Sequence, residues 1–399
     1  MRNTDVQATG RARVMGTTKA HVATALLSGA VGLMACGIAG PPSEDGGRLL
    51  WQIDGPGIGT PAVDAATVYF PGEDHEVIAV ARETGAVRWR ARTRAPGSYT
   101  NGKNTVIVGD VVAFSDATVW GFDRATGELR WAAVDGPYGA GYGYLATDGT
   151  TLYAATDSAY VYAIDPQTGR ARWTTSVTSP PSTRAFNPVV ADGVVFVGLT
   201  TYGFPDTGGL AALDAATGDV RWFQPFKPER PDMPAGCTGL AVTFGDLVIA
   251  SGLDGGIRAL DRTTGAVRWT QPRPTVSDPR ALPNTYGDLR LVTISGSVLI
   301  ASSVTGYVLA YDAATGQERW RSNTKFGSAV HPLYNDGSLA YVVHLGGQLA
   351  AMDIASGAVR WTAGTNQPGQ WGEFLGAPAV RDGNLYITGR TAMYAIRSD

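Results

Sequence analysis

Cysteine, lysine and histidine are scarce in this 399-residue chain, and charge is thin throughout. The two cysteines are Cys36 and Cys237, and the four lysines are Lys19, Lys103, Lys227 and Lys325. Beyond the amino-terminal segment the histidines are His75, His331 and His344, too scattered in sequence to suggest a metal site. Charged residues make up 17% of the chain and the formal net charge is −3. Residues 1–35 hold four basic groups and one acid, so 28 basic and 34 acidic residues remain beyond them, a net −6. A mildly acidic body without a basic stripe argues against nucleic-acid binding as the main task. The sequence also lacks an Asp-rich loop with calcium spacing, a Gly-x-Ser-x-Gly element, a phosphate loop and any arguable pair of carboxylates. Lysine scarcity beside abundant arginine reads first as high-GC codon bias.

Glycine, at 52 residues, is abundant, as in strand-rich proteins whose tight turns need positive φ. The run His21 to Ala35 is apolar, built of small residues and preceded by Lys19, which fits the charged and apolar regions of a secretory signal. It is well short of the roughly 20 apolar residues a spanning helix needs. No Arg-Arg pair precedes it, so a twin-arginine signal is not supported. It ends in Leu33-Met34-Ala35-Cys36, which resembles the lipobox of bacterial lipoproteins. That resemblance implies cleavage before Cys36 and diacylation of its thiol, and two acyl chains would hold the protein stably on a membrane. The expected organisation is a signal over 1–35, a flexible tether over 36–48 and a folded domain over 49–399. Translation from Met15 instead of Met1 would leave a more typical leader.

Seven segments align without gaps on the pattern Ala-x-Asp-x-x-Thr-Gly-x-x-Arg-Trp: Ala79 to Trp89, Gly121 to Trp131, Ala163 to Trp173, Ala212 to Trp222, Ala259 to Trp269, Ala310 to Trp320 and Ala351 to Trp361. Glycine and the Arg-Trp pair occur in all seven; Ala81 replaces the aspartate in the first and Ser356 the threonine in the last. Each segment reads as strand, tight turn, strand, with Asp and Thr bonding the turn backbone and glycine left-handed. Upstream, Asp-Gly between β-branched or aromatic runs, as in Pro188 to Val197 and Pro378 to Ile387, signals a hairpin. Each unit is therefore a four-stranded antiparallel sheet. The Trp-to-Trp spacings of 38, 42, 42, 49, 47, 51 and 41, counted from Trp51, match a propeller-blade period.

The prediction is an all-β, eight-bladed β-propeller. Leu49 to Ile53 supplies one outer strand with no motif ahead of it, and Ala377 to Ile396 supplies three strands before the chain stops. Together they make the eighth blade. Seven blades with a stray amino-terminal strand is the alternative. Trp51, Trp89, Trp131, Trp173, Trp222, Trp269, Trp320 and Trp361 are the expected docking residues, packing across junctions between sheets with a partner for each indole N–H.

The repeat resembles the pyrroloquinoline-quinone-type repeat with its tryptophan-docking motif, over residues 49–399. Two branches of that family share it: the quinoprotein alcohol dehydrogenases, and non-catalytic propellers that include the lipoprotein subunit of the outer-membrane barrel assembly machinery. The first branch implies a calcium or lanthanide ion, a catalytic aspartate and commonly a disulfide between adjacent cysteines. With Cys36 lipidated, Cys237 is the one thiol left and no such disulfide can form. The expected reading is therefore a non-enzymatic, lipid-anchored scaffold or recognition module outside the cytoplasm. It would be a monomer with a protein or peptide partner and no cofactor. A quinone-binding oxidoreductase, or a sensor of a small molecule or glycan, is the alternative. The membrane would be the outer one, periplasmic side, where the cell has one, and otherwise the outer face of the cytoplasmic membrane.

Function is expected in the connections between repeats, where the units diverge. Asp135 to Tyr144 is rich in Gly and Tyr, with Tyr138, Tyr142 and Tyr144; Pro272 to Leu289 holds Arg280 and Tyr286; Gln370 to Phe374 holds Trp371. These six residues are the candidate partner face, an aromatic and arginine surface suited to a hot spot. Phe223 to Gly236 is a further long connection. The bland alternative is that they cover the central channel. The arginine before each tryptophan points away from it in an alternating strand, either as a basic ring or, more simply, as a guard on an exposed edge. Cys237 is expected to begin an inner strand and to be buried and inert.

Overall fold

The computed structural model describes residues 47–55, 59–72, 75–93, 104–115, 118–133, 142–177, 183–201, 208–227, 236–237, 241–272, 289–303, 306–324, 334–344, 348–363, 377–389 and 392–398. Among them the secondary structure is strand and turn, arranged as eight four-stranded antiparallel sheets. Blade 1 runs Ala62–Val63, Thr67–Pro71, Glu76–Ala81 and Val87–Arg92, and blades 2 to 7 repeat that order. Blade 8 takes Ala379–Arg381, Asn384–Thr388 and Ala392–Arg397 from the end of the chain and Leu49–Asp54 from its beginning. The eight-bladed propeller is the observed fold, closed by both termini as the repeat arithmetic predicts.

Position within the blade explains the core. The middle strands are buried on both faces, as in Val68, Tyr69, Phe70 of blade 1 and Val195, Phe196, Val197 of blade 4. Apolar clusters lie at the seams between blades. Blades 8 and 1 share Val68, Phe70, Val80, Tyr386 and Met393, and blades 3 and 4 share Tyr153, Val161, Val195 and Leu213. Burying such area removes apolar surface from water at about 25 cal/mol per Å², so each sheet is stabilised mainly through its neighbours.

The motif supplies the link between neighbours. Every repeat tryptophan donates its indole N–H to a carbonyl in the next blade's turn: Trp51 to Arg82 at 2.9 Å, Trp131 to Pro166 at 2.8 Å, Trp222 to Arg262 at 3.0 Å, Trp361 to Ser398 at 2.9 Å. The ring lies over that turn's glycine. A Cβ on Gly169 would meet Trp131 at 2.6 Å, and Gly169 has φ +71°, so both space and backbone conformation demand glycine there. Repeat 2 begins with Gly121 for a related reason: a Cβ there would sit 2.1 Å from Trp131.

The eighth turn is built across the chain ends. Gly47 N–H donates to the Arg397 carbonyl at 3.0 Å, as Gly127 N–H donates to Asp123 at 2.8 Å, and Trp361 covers Gly47. Arg397 N–H donates to the Arg48 carbonyl at 2.8 Å. Gly47 and Arg48, placed in the tether by the sequence reading, therefore complete the last motif.

Three local expectations shift. Tyr142 and Tyr144 lie in the first strand of blade 3, Tyr142–Thr147, not in a connection. Phe223 belongs to the outer strand Val220–Pro225. Cys237 is buried and outside any disulfide, but it lies ahead of the inner strand Val242–Phe244, bridging to Gly252 of its own blade.

Candidate functional site

An antiparallel order of four strands puts its connections on two opposite faces. The first-to-second turns and the motif turns share one, the turn face. The second-to-third turns and the connections to the next blade share the other, the loop face.

On the turn face the motif aspartate organises the loop. Asp123 Oδ1 accepts from the backbone N–H of Ala125 at 2.9 Å and Thr126 at 2.8 Å and from the Thr126 hydroxyl at 3.0 Å, while Arg130 donates to Oδ2 at 2.5 Å. The same pairing joins Arg172 to Asp165, Arg221 to Asp214, Arg268 to Asp261, Arg319 to Asp312 and Arg360 to Asp353. The guanidinium holds the carboxyls of Asp123, Asp214 and Asp261 down at about 2. Blade 1 lacks the aspartate, and there Arg88 donates to the Thr67 hydroxyl at 2.9 Å instead. The arginines are thus neither a basic ring nor simple edge guards: they brace the turn that receives the neighbouring tryptophan.

Further pairs cross the seams, Arg82 to Asp382 between blades 1 and 8 and Arg262 to Asp192 between blades 5 and 4. In the hairpin turns, Asp64, Asp148 and Asp336 accept the phenols of Tyr69, Tyr153 and Tyr341, each ring tilted against a repeat tryptophan at about 6 Å. Burial pushes the Tyr69 and Tyr153 phenols up to about 12.

On the loop face, the first strands are stitched together around the channel mouth. Thr105 N–H donates to the Thr60 carbonyl at 2.9 Å. The Asn104 side chain donates to the Leu145 carbonyl at 2.9 Å and accepts from its N–H at 2.7 Å. Ala377 N–H donates to the Thr60 hydroxyl at 3.2 Å, so blades 8, 1, 2 and 3 are joined in series. Tyr144 is half-buried at this mouth, bonded to Thr60, and burial raises its phenol above the ordinary range. Of the six candidate residues it is the one whose side chain is described. Tyr138, Arg280, Tyr286 and Trp371 lie outside the described residues, as does Cys36, and of Tyr142 the strand position alone is described.

One constellation was missed by sequence reasoning. Arg258, 8% exposed, is gripped by both oxygens of Asp254 at 3.0 and 2.5 Å, donates to the Lys227 carbonyl at 3.0 Å and lies over the Phe226 ring at 4.9 Å. This buried pair fastens the exit of blade 4 to blade 5. Its signal was an arginine in a strand position that other repeats fill with Ile78, Trp120 or Tyr162.

A quinone-metal centre needs a converging set of acidic and amide donors. Among the described residues no group of three or more His, Cys, Asp or Glu could hold a metal ion. The motif aspartates are on the turn face, each engaged with its own arginine and turn.

The family model described as outer membrane protein assembly factor BamB matches residues 42–141, 137–305 and 304–398. The outer membrane protein assembly factor BamB of Nitrosomonas eutropha is 28% identical over 199 residues, 48% of this chain and 44% of that protein. The serine/threonine-protein kinase AfsK of Streptomyces griseus is 27% identical over 195 residues, 47% of this chain and 22% of the kinase. These matches span less than half the length of either relative. The quinohemoprotein alcohol dehydrogenase of Comamonas testosteroni shares the fold, with a TM-score of 0.70 at 14% identity, covering 88% of this chain and 76% of that one.

Proposed function

The chain belongs to the family of the outer membrane protein assembly factor BamB, and from that membership we propose that it is a non-enzymatic protein-interaction scaffold. It acts outside the cytoplasm, held to a membrane by lipid on Cys36, and it engages a protein or peptide through the loop face. The observation that carries this reading is the division of labour between the faces. The repeated polar side chains of the turn face are bonded within and between blades, whereas the strand ends from which the divergent connections leave all lie at the other face. A scaffold that fixes varied loops on a rigid ring is suited to recognition.

The test is recovery of partners after mild crosslinking in cells, comparing wild type with Trp371→Ala and Tyr142→Ala. Both variants are expected to lose most of at least one partner. Wild-type recovery of every partner in both would show that the loop face does not bind them. In the same preparation, calorimetric titration with pyrroloquinoline quinone and calcium is expected to be silent; saturable heat would overturn the non-catalytic reading.

A further inference from the structure

Gly47 sets where the chain enters the fold. Its N–H bonds Arg397 and its backbone sits under Trp361, so it occupies the glycine position of an eighth motif turn. The chain therefore enters on the turn face. We propose that the turn face is the membrane-proximal face of this protein, resting on the lipid surface and presenting the loop face away from it. This rests on the reading of Cys36 as the lipidated residue.

Chain length is the first argument. Residues 37–46 separate Cys36 from Gly47. Eleven steps of about 3.4 Å give an upper reach of about 37 Å. A six-residue outer strand such as Leu49–Asp54 is itself about 20 Å long. Placing the loop face on the bilayer would require the link to climb that height and clear the connections beyond it. With the turn face down it has no climb at all.

The second argument is independent of the link. Two residues after the motif glycine, at the turn-face end of the outer strand, stand Val87, Leu129, Val220, Val267 and Val359, with Leu49 in the split motif. They are 39–47% exposed. The other two blades place Ala171 and Glu318 there. Single exposed aliphatic residues are ordinary on a soluble surface. In this protein they recur at one register position, at the same end of six blades, and that end is the one from which the link departs. The opposite ends of these six strands follow no such pattern: they are Asp54, Arg92 and Gln271 in three blades and Ala133, Pro225 and Ala363 in the others. Leu50, 38% exposed, extends the apolar edge beside the entry point, where seven blades have arginine. Aliphatic side chains at a headgroup boundary add modest affinity to an acylated protein.

The experiment uses the full lipidated protein, purified from membranes and reconstituted in phosphatidylcholine vesicles that contain a headgroup-nitroxide lipid. A bimane label is placed singly through Ala216→Cys or Ala314→Cys on the turn face and Asp157→Cys or Ser158→Cys on the loop face; the parent, in which Cys237 is buried, gives the blank. Quenching at 216 and 314 is expected to exceed that at 157 and 158 by roughly threefold. Replacing Val87, Val220 and Val267 together by Ser is expected to leave flotation intact and to cut that ratio by about half. Equal or reversed quenching in floating protein would overturn the orientation while leaving lipidation standing. An unchanged ratio in the triple variant would remove the lipid contact of the rim. If the protein and its Cys36→Ser variant both fail to float, the anchor reading itself falls, and the orientation with it.

Discussion

Asp261 is one of six motif aspartates held between their own turn and the motif arginine. Thr263 and Thr264 N–H groups and the Thr264 hydroxyl bond one oxygen, and Arg268 the other, at 2.6 Å. The arginine, then the turn, hold its carboxyl down at about 2 from the ordinary 3.8. A carboxyl with a depressed folded value contributes stability that is fully present above its unfolded value and is lost as pH falls through the folded one. The window for this group is therefore about pH 4 down to 2. A carbon-detected titration should place the Asp261 midpoint near 2 in wild type and move it towards 3.8 in Arg268→Gln. A midpoint near 3.8 in both proteins would show that the bridge does not form in solution. The roles of Asp, Thr and Gly in the turn were legible from their spacing, because local hydrogen-bonding geometry dictates them. The partner of the arginine was not: alternation predicts which side of the strand it leaves, and not that it reaches back to the aspartate of its own turn.

The strands and blades were legible because period-two alternation and Asp-Gly turns are local signals. What escaped was the element assembled from two ends of the chain. No continuous motif contains Gly47, so nothing in linear order marks it as the partner of Arg397. The split motif also differs in chemistry: Arg397 stands where six repeats have aspartate, and Leu50 where seven have arginine. The split turn therefore has no residues to form the Asp–Arg pair that six of the seven continuous motif turns carry. Leu50→Arg and Arg397→Asp, combined, should restore it. In a double-mutant cycle on urea unfolding the pair should couple favourably by about 0.2–1 kcal/mol, the range for partly exposed pairs. A coupling of zero would mean that the split turn lacks the geometry of its six paired counterparts. Arg258 was hidden for a related reason: its partners come from its own hairpin and from the preceding blade, a seam that pattern alone cannot draw.

At the scale of the whole molecule, eight seams and eight tryptophans account for nearly every repeated residue by architecture. The repeat was consequently the most readable part of the chain and the least informative about activity. Tyr144, the one member of the candidate face with a described side chain, is half-buried at the channel mouth, which suits a supporting position more than a free hot spot. Connections carry little periodic signal, so their arrangement could not be read from spacing in the way the blades were. The two proposals together require a protein partner at the loop face and lipid at the turn face. Photo-crosslinking amino acids placed one at a time at 142, 371, 216 and 314 in living cells read out both at once. Discrete protein adducts are expected from 142 and 371, and lipid adducts or none from 216 and 314. Protein adducts from 216 and 314, with none from 142 and 371, would mean that the faces have been assigned the wrong way round.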